Sequence, residues 1–372
     1  MATISTADLH PRFVKIKWSD GHMSSFHHVW LRDNCPQKRH PQTNHRVDET
    51  SAIPLDIEPT SATVVDGALQ VLWSDDHQST FGADWLAEHD YSNGIRREKP
   101  KPVLWDGTFT PHVPRMTYEQ LYNDTQARIA WIRAFRDYGV AIMTEMPTAE
   151  GTVAKVGDEL GRVRDTSWGR VFDVKSIAKA NSVAYTSLPL VLHTDEGYRD
   201  PAPTVQLQHF LVSESTGGDA TLVDGFKVAH DLREQAPEKF DVLCNTELYF
   251  HFADVDIVLE NDGPIIELDP AGNIKAVRFS NHSCQPFLID EDKMEAYYDA
   301  YSTFGAMRED PRYRIQIPMG AGEMYMVNNR RVMHGRTGFT SGGNRHLQSC
   351  YIELDELYGR LSILERAALA TH

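Results

Sequence analysis

The sequence predicts a mainly β protein of the α+β class, in which a large β-rich domain with flanking helices follows a smaller β-rich domain. Many short apolar strands, separated by Gly, Pro and Asn turns, fill the chain from Ala184 onward. The first hundred residues contain an internal repeat, and a cluster of four prolines follows it. We therefore expect an N-terminal domain over residues 1–98, a linker over 99–115, and a sandwich or jelly roll over 116–372.

The internal repeat consists of two similar segments. Residues 18–26 read WSDGHMSSF, and residues 73–81 read WSDDHQSTF. Each copy follows alternating apolar residues, turns at Ser-Asp-Gly or Ser-Asp-Asp, and continues with Ser or Thr and Phe, which is typical of a β-hairpin. The sequence therefore predicts two similar β units in the N-terminal domain.

Helices and strands alternate in the second domain. Apolar residues at helical spacing predict a helix over 118–138, which Gly139 ends, and a strand over 140–143. A second helix is expected over 229–244, packed outside the sheets. The other predicted strands are 204–212, 220–223, 265–268, 276–279, 313–317, 323–327 and 346–354.

Composition and charge exclude several classes of protein. The 372 residues are 41% hydrophobic and 24% charged, which excludes disordered and collagen-like chains. The net charge of -16, spread without a long run of one sign, disfavours nucleic acid and anionic membranes as partners. Neither a membrane span of about 18 apolar residues nor a secretory signal is recognisable. The four cysteines are widely separated in the sequence, which argues against a disulfide framework. Reduced thiols are typical of the cytoplasm, so we expect a cytoplasmic protein.

Two histidines and one aspartate are the candidate metal ligands. His193 and Asp195 form a His-x-Asp pair, and His334 follows much later in the β-rich domain. Because side chains two residues apart on a strand face the same side, His193 and Asp195 can bind one ion. With His334 they supply the two-histidine, one-carboxylate set that leaves open positions on non-haem Fe(II). A structural hydrogen-bonded pair without metal is the alternative reading of this pattern.

Arg345 is the candidate anion-binding residue. It follows His334 in the sequence, after a Ser-Gly-Gly-Asn turn that returns the chain to the next strand. A guanidinium at this position could clamp the distal carboxylate of a 2-oxo acid through two parallel hydrogen bonds. A surface arginine is the alternative.

These residues and several further motifs closely resemble the γ-butyrobetaine hydroxylase and taurine dioxygenase-like family of Fe(II)/2-oxoglutarate-dependent oxygenases, including its 2-(trimethylammonio)ethylphosphonate dioxygenase branch. The resemblance implies a double-stranded β-helix core, Fe(II) at His193, Asp195 and His334, and 2-oxoglutarate held by Arg345, with O2 as the second cosubstrate. The further motifs are WLRDNC at 30–35, TGGD at 216–219, VDGF at 223–226, and RH at 345–346 with Tyr351.

The resemblance also implies an aromatic cage for a trimethylammonium group. A quaternary ammonium has no proton to donate, so ring faces and apolar contacts bind it best. Core packing of these rings is the alternative, although the segment that carries three of them is otherwise polar. The cage positions are Trp168, Phe172, Tyr185 and Tyr351, and the resemblance implies Asn281 as a donor to the anionic end of the substrate.

Two positions depart from the family pattern. Family members commonly bind zinc in the N-terminal domain, but here only Cys35 and His77 clearly match the ligands. His40 or His45 could substitute for a missing ligand, so the sequence leaves a structural zinc open. After the iron motif, Tyr198 and Arg199 stand where we expect different residues around the carboxylate end of γ-butyrobetaine. Both would suit a more highly charged anion such as a phosphonate, and an Arg199 facing water is the alternative.

We therefore predict an Fe(II)/2-oxoglutarate-dependent dioxygenase that hydroxylates a small trimethylammonium substrate and produces succinate and CO2. The expected substrate is γ-butyrobetaine or 2-(trimethylammonio)ethylphosphonate. The alternatives are a related oxygenase that acts on another small anion such as a sulfonate, and a non-catalytic metal-binding interaction protein. The sequence leaves open whether the chain forms a homodimer.

Overall fold

The computed structural model divides into two compact units, Met1–Lys99 and Pro100–His372. The residues that the structure describes are 3–92, 100–175, 188–339 and 344–370. No helix within these ranges is long and apolar enough to cross a membrane.

The N-terminal unit contains two similar three-stranded antiparallel sheets, and a short helix follows each. In both copies the middle strand buries alternate residues and ends at a fully buried tryptophan. The Trp18 indole donates a hydrogen bond to Ser24 Oγ at 2.7 Å, and the Trp73 indole donates one to Ser79 Oγ at 2.8 Å. The elements are β1 Ile4–Leu9, β2 Phe13–Trp18, β3 Met23–His27, α1 His28–Asp33, β4 Pro59–Val65, β5 Ala68–Trp73, β6 Gln78–Phe81 and α2 Ala83–Glu88.

The segment predicted as a linker, 99–115, belongs largely to the second unit. Trp105, Phe109 and Val113 are buried in the core of that unit, and the Trp105 indole donates to the Tyr138 carbonyl at 2.7 Å. The prolines of this segment exclude regular strands and long helices, but they do not prevent three large apolar side chains from packing. The chain is therefore fixed to the second unit from Trp105 onward.

Strands and helices are interspersed along the described residues of the second unit, as the sequence predicts. In chain order the elements are β7 Arg115–Thr117, α3 Tyr118–Asn123, α4 Thr125–Tyr138, β8 Val140–Thr144, α5 Thr152–Leu160, β9 Phe172–Lys175, β10 Leu190–His193, β11 Val205–Ser213, β12 Ala220–Asp224, α6 Gly225–Gln235, α7 Pro237–Asn245, β13 Leu248–Asp254, β14 Ile257–Gly263, β15 Ile266–Leu268, β16 Ile274–Val277, β17 Cys284–Gln285, α8 Met294–Glu309, β18 Arg314–Ile317, β19 Met324–Asn328, β20 Val332–Arg336, β21 Arg345–Ile352 and α9 Leu354–Ala370.

Two large sheets form the centre of this unit. The six-stranded sheet has the order β7-β8-β19-β11-β21-β9, and the four-stranded sheet has the order β10-β20-β12-β18. Because successive side chains alternate along a strand, β19 directs Tyr325 and Val327 into the core shared with the four-stranded sheet, and Met324 and Met326 into the core formed with α3, α4, α5 and α9. The other face of the four-stranded sheet packs on α6, α7 and α8. Helices thus cover both outer faces.

Both long helices predicted from the sequence are interrupted. The predicted helix 118–138 divides at Asp124, whose carboxylate accepts a hydrogen bond from the Ala127 amide at 2.9 Å and so begins α4. The predicted helix 229–244 begins earlier, at Gly225, and divides at Ala236 because Pro237 cannot continue a helix from the preceding turn. Capping and proline geometry therefore override the apolar periodicity at these two positions.

Candidate active site

The two predicted histidines lie opposite each other on neighbouring strands. In the antiparallel pair β10–β20, His193 is the register partner of His334. The Asp195 Oδ1 atom lies 3.1 Å from His193 Nε2 and 3.5 Å from His334 Nε2. Across the described ranges this is the one group of three His, Cys, Asp or Glu side chains whose ligand atoms converge, all within 4.8 Å of one another. The structure thus brings the predicted ligands together.

Hydrogen bonding fixes the orientation of the His193 ring. Its Nδ1 atom lies 2.9 Å from the Val191 carbonyl oxygen. Since a carbonyl only accepts, Nδ1 carries a proton and donates, and Nε2 is the nitrogen that faces Asp195 and His334. A backbone partner of this kind is the usual support for a histidine that binds a metal.

Hydrogen bonds hold one carboxylate oxygen of Asp195 and leave the other facing the two histidines. Its Oδ2 atom accepts a hydrogen bond from the Tyr351 hydroxyl at 2.8 Å and another from the Gln206 amide. The Asp195 amide donates to Asn329 Oδ1 at 2.7 Å, and Asn329 Nδ2 donates back to the Asp195 carbonyl at 3.0 Å. These contacts leave Oδ1 as the oxygen that faces the two histidines.

The Asp195 carboxyl is ionised at neutral pH, as a metal ligand must be. Burial would raise the pKa of the Asp195 carboxyl, but the charge of His334 and the hydrogen bonds from both histidines hold it well below its usual range. Burial lowers the pKa of His334. For His193 the contacts with Asp195 outweigh the effect of burial and raise the pKa. Two imidazoles and one carboxylate on one face, with open space beside them, fit Fe(II).

The three residues line a cavity of about 530 Å³. Its lining includes an aromatic wall, which we define as Tyr351, Phe172, Trp168, Phe252 and Tyr198. Successive ring centroids along this wall are 5.4, 6.5, 5.2 and 5.1 Å apart. The wall begins beside the candidate metal ligands, because the Tyr351 hydroxyl contacts Asp195.

Three of the four predicted cage residues therefore belong to one continuous wall, and the fourth, Tyr185, lies outside the described residues. Phe252 was not predicted from the sequence. It lies on β13, far along the chain from the other rings, and no local pattern marks it. Tyr198, predicted to bind an anion, lines the cavity and is stacked on Phe252.

Two guanidinium groups also line the cavity. Arg345 lies at the start of β21, and burial lowers the pKa of its side chain. Arg336 lies two residues after His334 on β20, and burial together with the charge of Arg345 lowers its pKa to about 10, so it is charged at neutral pH. The guanidinium carbons lie 5.3 and 4.9 Å from the Phe339 ring centroid. Arg336 was not predicted from the sequence, although the alternation of side chains along a strand places it on the face of His334.

The structure does not bring two predicted anion-binding residues to the cavity. Asn281 is exposed, and its side-chain oxygen accepts a hydrogen bond from the Tyr301 hydroxyl at 3.2 Å. Arg199 forms an ion pair with Glu196, donates to Ser167 Oγ at 2.9 Å, and places its guanidinium 5.3 Å from the Trp168 ring centroid. Neither belongs to the described residues that line the cavity. Arg199 instead contacts the aromatic wall at Trp168.

Glu196, the ion-pair partner of Arg199, is a buried carboxyl group. Glu196 lines the cavity, and burial raises its pKa to about 7, although its ion pair with Arg199 acts in the opposite direction. Its backbone has a positive φ of 54°, a conformation that few residues other than glycine adopt. The turn directly after Asp195 therefore directs Glu196 toward the cavity.

The two candidate zinc ligands in the N-terminal unit do meet. Cys35 Sγ lies 3.1 Å from His77 Nε2. The remaining partners are not metal ligands, however, because the Ser79 hydroxyl donates to Cys35 Sγ at 3.0 Å and the thiol donates to Gln37 Oε1 at 3.3 Å. Within residues 3–92, two potential ligands converge here, whereas a structural zinc site needs four.

Comparisons with known proteins agree with this geometry. The family model described as "Taurine catabolism dioxygenase TauD, TfdA family" matches residues 100–351, and the model "Gamma-butyrobetaine hydroxylase-like, N-terminal" matches residues 7–87. A gamma-butyrobetaine dioxygenase from Pseudomonas sp. (strain AK-1) is 35% identical over 359 residues, which cover 95% of this chain and 94% of that protein.

More distant relatives match over similar lengths. The gamma-butyrobetaine dioxygenase of Homo sapiens is 28% identical, with 95% of this chain and 94% of that protein covered. The mitochondrial trimethyllysine dioxygenase of Mus musculus is 27% identical, with 92% and 84% covered. The first family match spans more than half of the chain, and the Pseudomonas relative aligns with nearly all of it. The chain therefore belongs to the TauD/TfdA family and is a non-haem Fe(II)- and 2-oxoglutarate-dependent dioxygenase.

Proposed function

We propose that this dioxygenase hydroxylates a small trimethylammonium compound that carries an anionic tail. The observation that carries the proposal is the aromatic wall, which begins at Tyr351 on the ligand Asp195 and extends through Phe172 and Trp168. A cation held against these rings would lie beside the candidate iron ligands. The names of the relatives, gamma-butyrobetaine dioxygenase and trimethyllysine dioxygenase, refer to trimethylammonium compounds and support the same substrate class.

The proposed roles follow from the contacts. His193 Nε2, Asp195 Oδ1 and His334 Nε2 would hold Fe(II). With 2-oxoglutarate and O2, bound Fe(II) supplies the oxidation in which 2-oxoglutarate yields succinate and CO2 and one oxygen atom enters a C–H bond of the substrate. The Val191 carbonyl keeps the proton on His193 Nδ1, and Tyr351 and Gln206 keep Asp195 oriented. The protein thus places the reacting groups before the chemistry begins.

The two guanidinium groups are assigned to the cosubstrate. Arg345 would pair with the distal carboxylate of 2-oxoglutarate through two parallel hydrogen bonds. Arg336 adds a second positive charge to the same cavity. Because both are cations and burial lowers both pKa values, a bound dicarboxylate offsets their mutual repulsion.

The aromatic wall selects the cation. A trimethylammonium group cannot donate a hydrogen bond, and each favourable ring face contributes about 0.5–2 kcal/mol to its binding. A neutral group of the same shape would gain the apolar contact but lose the electrostatic attraction to the rings.

We also propose that the six-stranded and four-stranded sheets form the double-stranded β-helix that this family resemblance implies.

The proposal is tested by supplying the Fe(II)-loaded enzyme with 2-oxoglutarate, O2 and a panel of small compounds. The panel contains γ-butyrobetaine, 2-(trimethylammonio)ethylphosphonate and, as an anion without a quaternary ammonium, taurine. We expect a trimethylammonium compound to stimulate succinate formation and to gain one oxygen atom by mass spectrometry. Oxygenation of taurine in preference to both ammonium compounds would contradict the proposal.

A further inference from the structure

A second wall of the cavity is polar. We define the polar wall as His251 on β13 together with Ser280, His282 and Ser283 on the loop before β17, all of which line the cavity. The His251 amide donates to the Ser283 carbonyl at 2.9 Å, so the loop is attached to the strand beside it. These side chains therefore share one supported surface.

The polar wall contains a buried hydroxyl without a protein partner. Ser283 is 8% exposed, and its Oγ atom has no hydrogen-bond partner among the described residues. Ser280 is also 8% exposed. Buried polar groups in native structures are nearly always paired, so this hydroxyl on the cavity wall is a candidate donor to a ligand.

The polar wall and the aromatic wall start from different metal ligands. The His282 ring meets the His193 ring edge to face, with centroids 5.8 Å apart. The aromatic wall starts at Asp195, which the Tyr351 hydroxyl contacts. A substrate that touched both walls would therefore lie beside the candidate iron ligands.

We infer that the polar wall binds the anionic tail of the substrate, with the Ser283 hydroxyl and the imidazole N–H groups of His251 and His282 donating to its oxygen atoms. This inference rests on the proposed function. Carboxylate and phosphonate tails share the oxygen acceptors that these donors need. The cation would then lie against the aromatic wall, and the C–H bond between the two ends would face the iron.

Other candidates for tail recognition are already engaged. Asn281 is exposed and accepts from Tyr301, and Arg199 is paired with Glu196. Of the described residues that line the cavity, Arg336 and Arg345 are the two arginines, no lysine is present, and both arginines are assigned to the cosubstrate. The polar wall is thus a group of hydrogen-bond donors beside His193 that the cosubstrate assignment leaves unused.

The inference is tested by calorimetric titration of the anaerobic holoprotein, loaded with Fe(II) and 2-oxoglutarate. The titrants are γ-butyrobetaine, 2-(trimethylammonio)ethylphosphonate and butyltrimethylammonium, which has the cation without the anion. We expect Ser283→Ala to weaken binding of the two anionic compounds about fivefold to tenfold, and that of butyltrimethylammonium less than about twofold. His251→Gln should show the same selectivity, and the matched control Asn281→Ala should leave all three affinities within about twofold.

Each outcome bears on one claim. A larger loss for the phosphonate than for the carboxylate in Ser283→Ala and His251→Gln identifies the phosphonate tail as the better partner of the wall, and the reverse identifies the carboxylate. Equal losses for all three titrants, unchanged affinities in both variants, or a tail-specific loss in Asn281→Ala would overturn the inference while leaving the proposed substrate class intact. Failure of all three compounds to bind the wild-type holoprotein would instead overturn the proposed function, and the inference with it.

Discussion

The N-terminal unit and the catalytic unit each contain a buried group of potential metal ligands, and the two groups differ in how their atoms are engaged. In the first, Cys35 and His77 meet, and Ser79 and Gln37 complete the contacts of the thiol. In the second, three ligand atoms converge within 4.8 Å and line an open cavity. In the first group, hydrogen bonds occupy the thiol that a metal would need, whereas the second group keeps one face free for a metal.

This difference shows that residue type alone does not make a metal site. The Cys35 and His77 side chains are good ligands for zinc, but the protein supplies hydrogen-bond partners where further ligands would be needed. In the catalytic unit, neighbouring groups occupy the outer atoms, His193 Nδ1 and Asp195 Oδ2, and leave the inner atoms available. Outer contacts that orient without covering the inner atoms are the signature of a metal centre.

The largest expected effect is the loss of a ligand from the open group. His193→Ala should reduce 2-oxoglutarate decarboxylation to below about 1% of the wild-type rate, because two ligands cannot hold Fe(II) at the required position. Succinate formation measures this directly, with circular dichroism as a control for folding. A variant with near-native turnover would remove His193 from the iron site.

The next largest effect concerns the cosubstrate on the open face. Arg345→Lys keeps the positive charge but cannot make the planar two-point contact, so the apparent KM for 2-oxoglutarate should rise about tenfold. The maximal rate at saturating cosubstrate should fall much less. An unchanged KM would place the carboxylate clamp elsewhere, with Arg336 as the next residue to replace.

A smaller effect is expected from the aromatic wall. Phe172→Leu keeps apolar bulk but removes a ring face, so the Kd for the trimethylammonium substrate should rise by a factor of about 2 to 5. The matched neutral compound, with a tert-butyl group in place of the trimethylammonium, should lose less. Equal losses for the charged and neutral compounds would show that the ring contributes shape alone.

The smallest effect on catalysis should come from the Cys35 and His77 pair in the N-terminal unit. His77→Gln should leave decarboxylation and iron content unchanged, and should lower the free energy of unfolding by about 1 kcal/mol through the lost contact with Cys35. Denaturant titration measures the stability change. A variant that loses bound metal together with activity would contradict this reading of the N-terminal unit.

The sequence predicted the parts of the site that follow strand periodicity. His193 and Asp195 face one side because they lie two residues apart, and the same rule would have identified Arg336 from His334. The hairpin repeat was predicted from its own turns and alternating residues, and the structure shows two similar sheets. These features depend on local spacing, which a sequence displays directly.

The remaining features depend on contacts between distant segments. Phe252 and Ser283 reach the cavity through the pairing of β13 with its neighbours, and no local pattern signals it. Asn281 and Arg199 have suitable chemistry and lie close in sequence to lining residues, but Tyr301 and Glu196 engage them and neither belongs to the cavity lining. Which polar side chain faces a cavity is decided by its neighbours in space.

Anaerobic equilibrium dialysis against Fe(II) tests the central claim most directly, since the claim concerns which of the two groups binds the metal. The wild-type protein and a Cys35→Ser, His77→Gln double variant should each bind about one Fe(II) per chain, and His334→Ala should bind none under the same conditions. Retention of tightly bound iron in His334→Ala, or its loss in the double variant, would contradict the account.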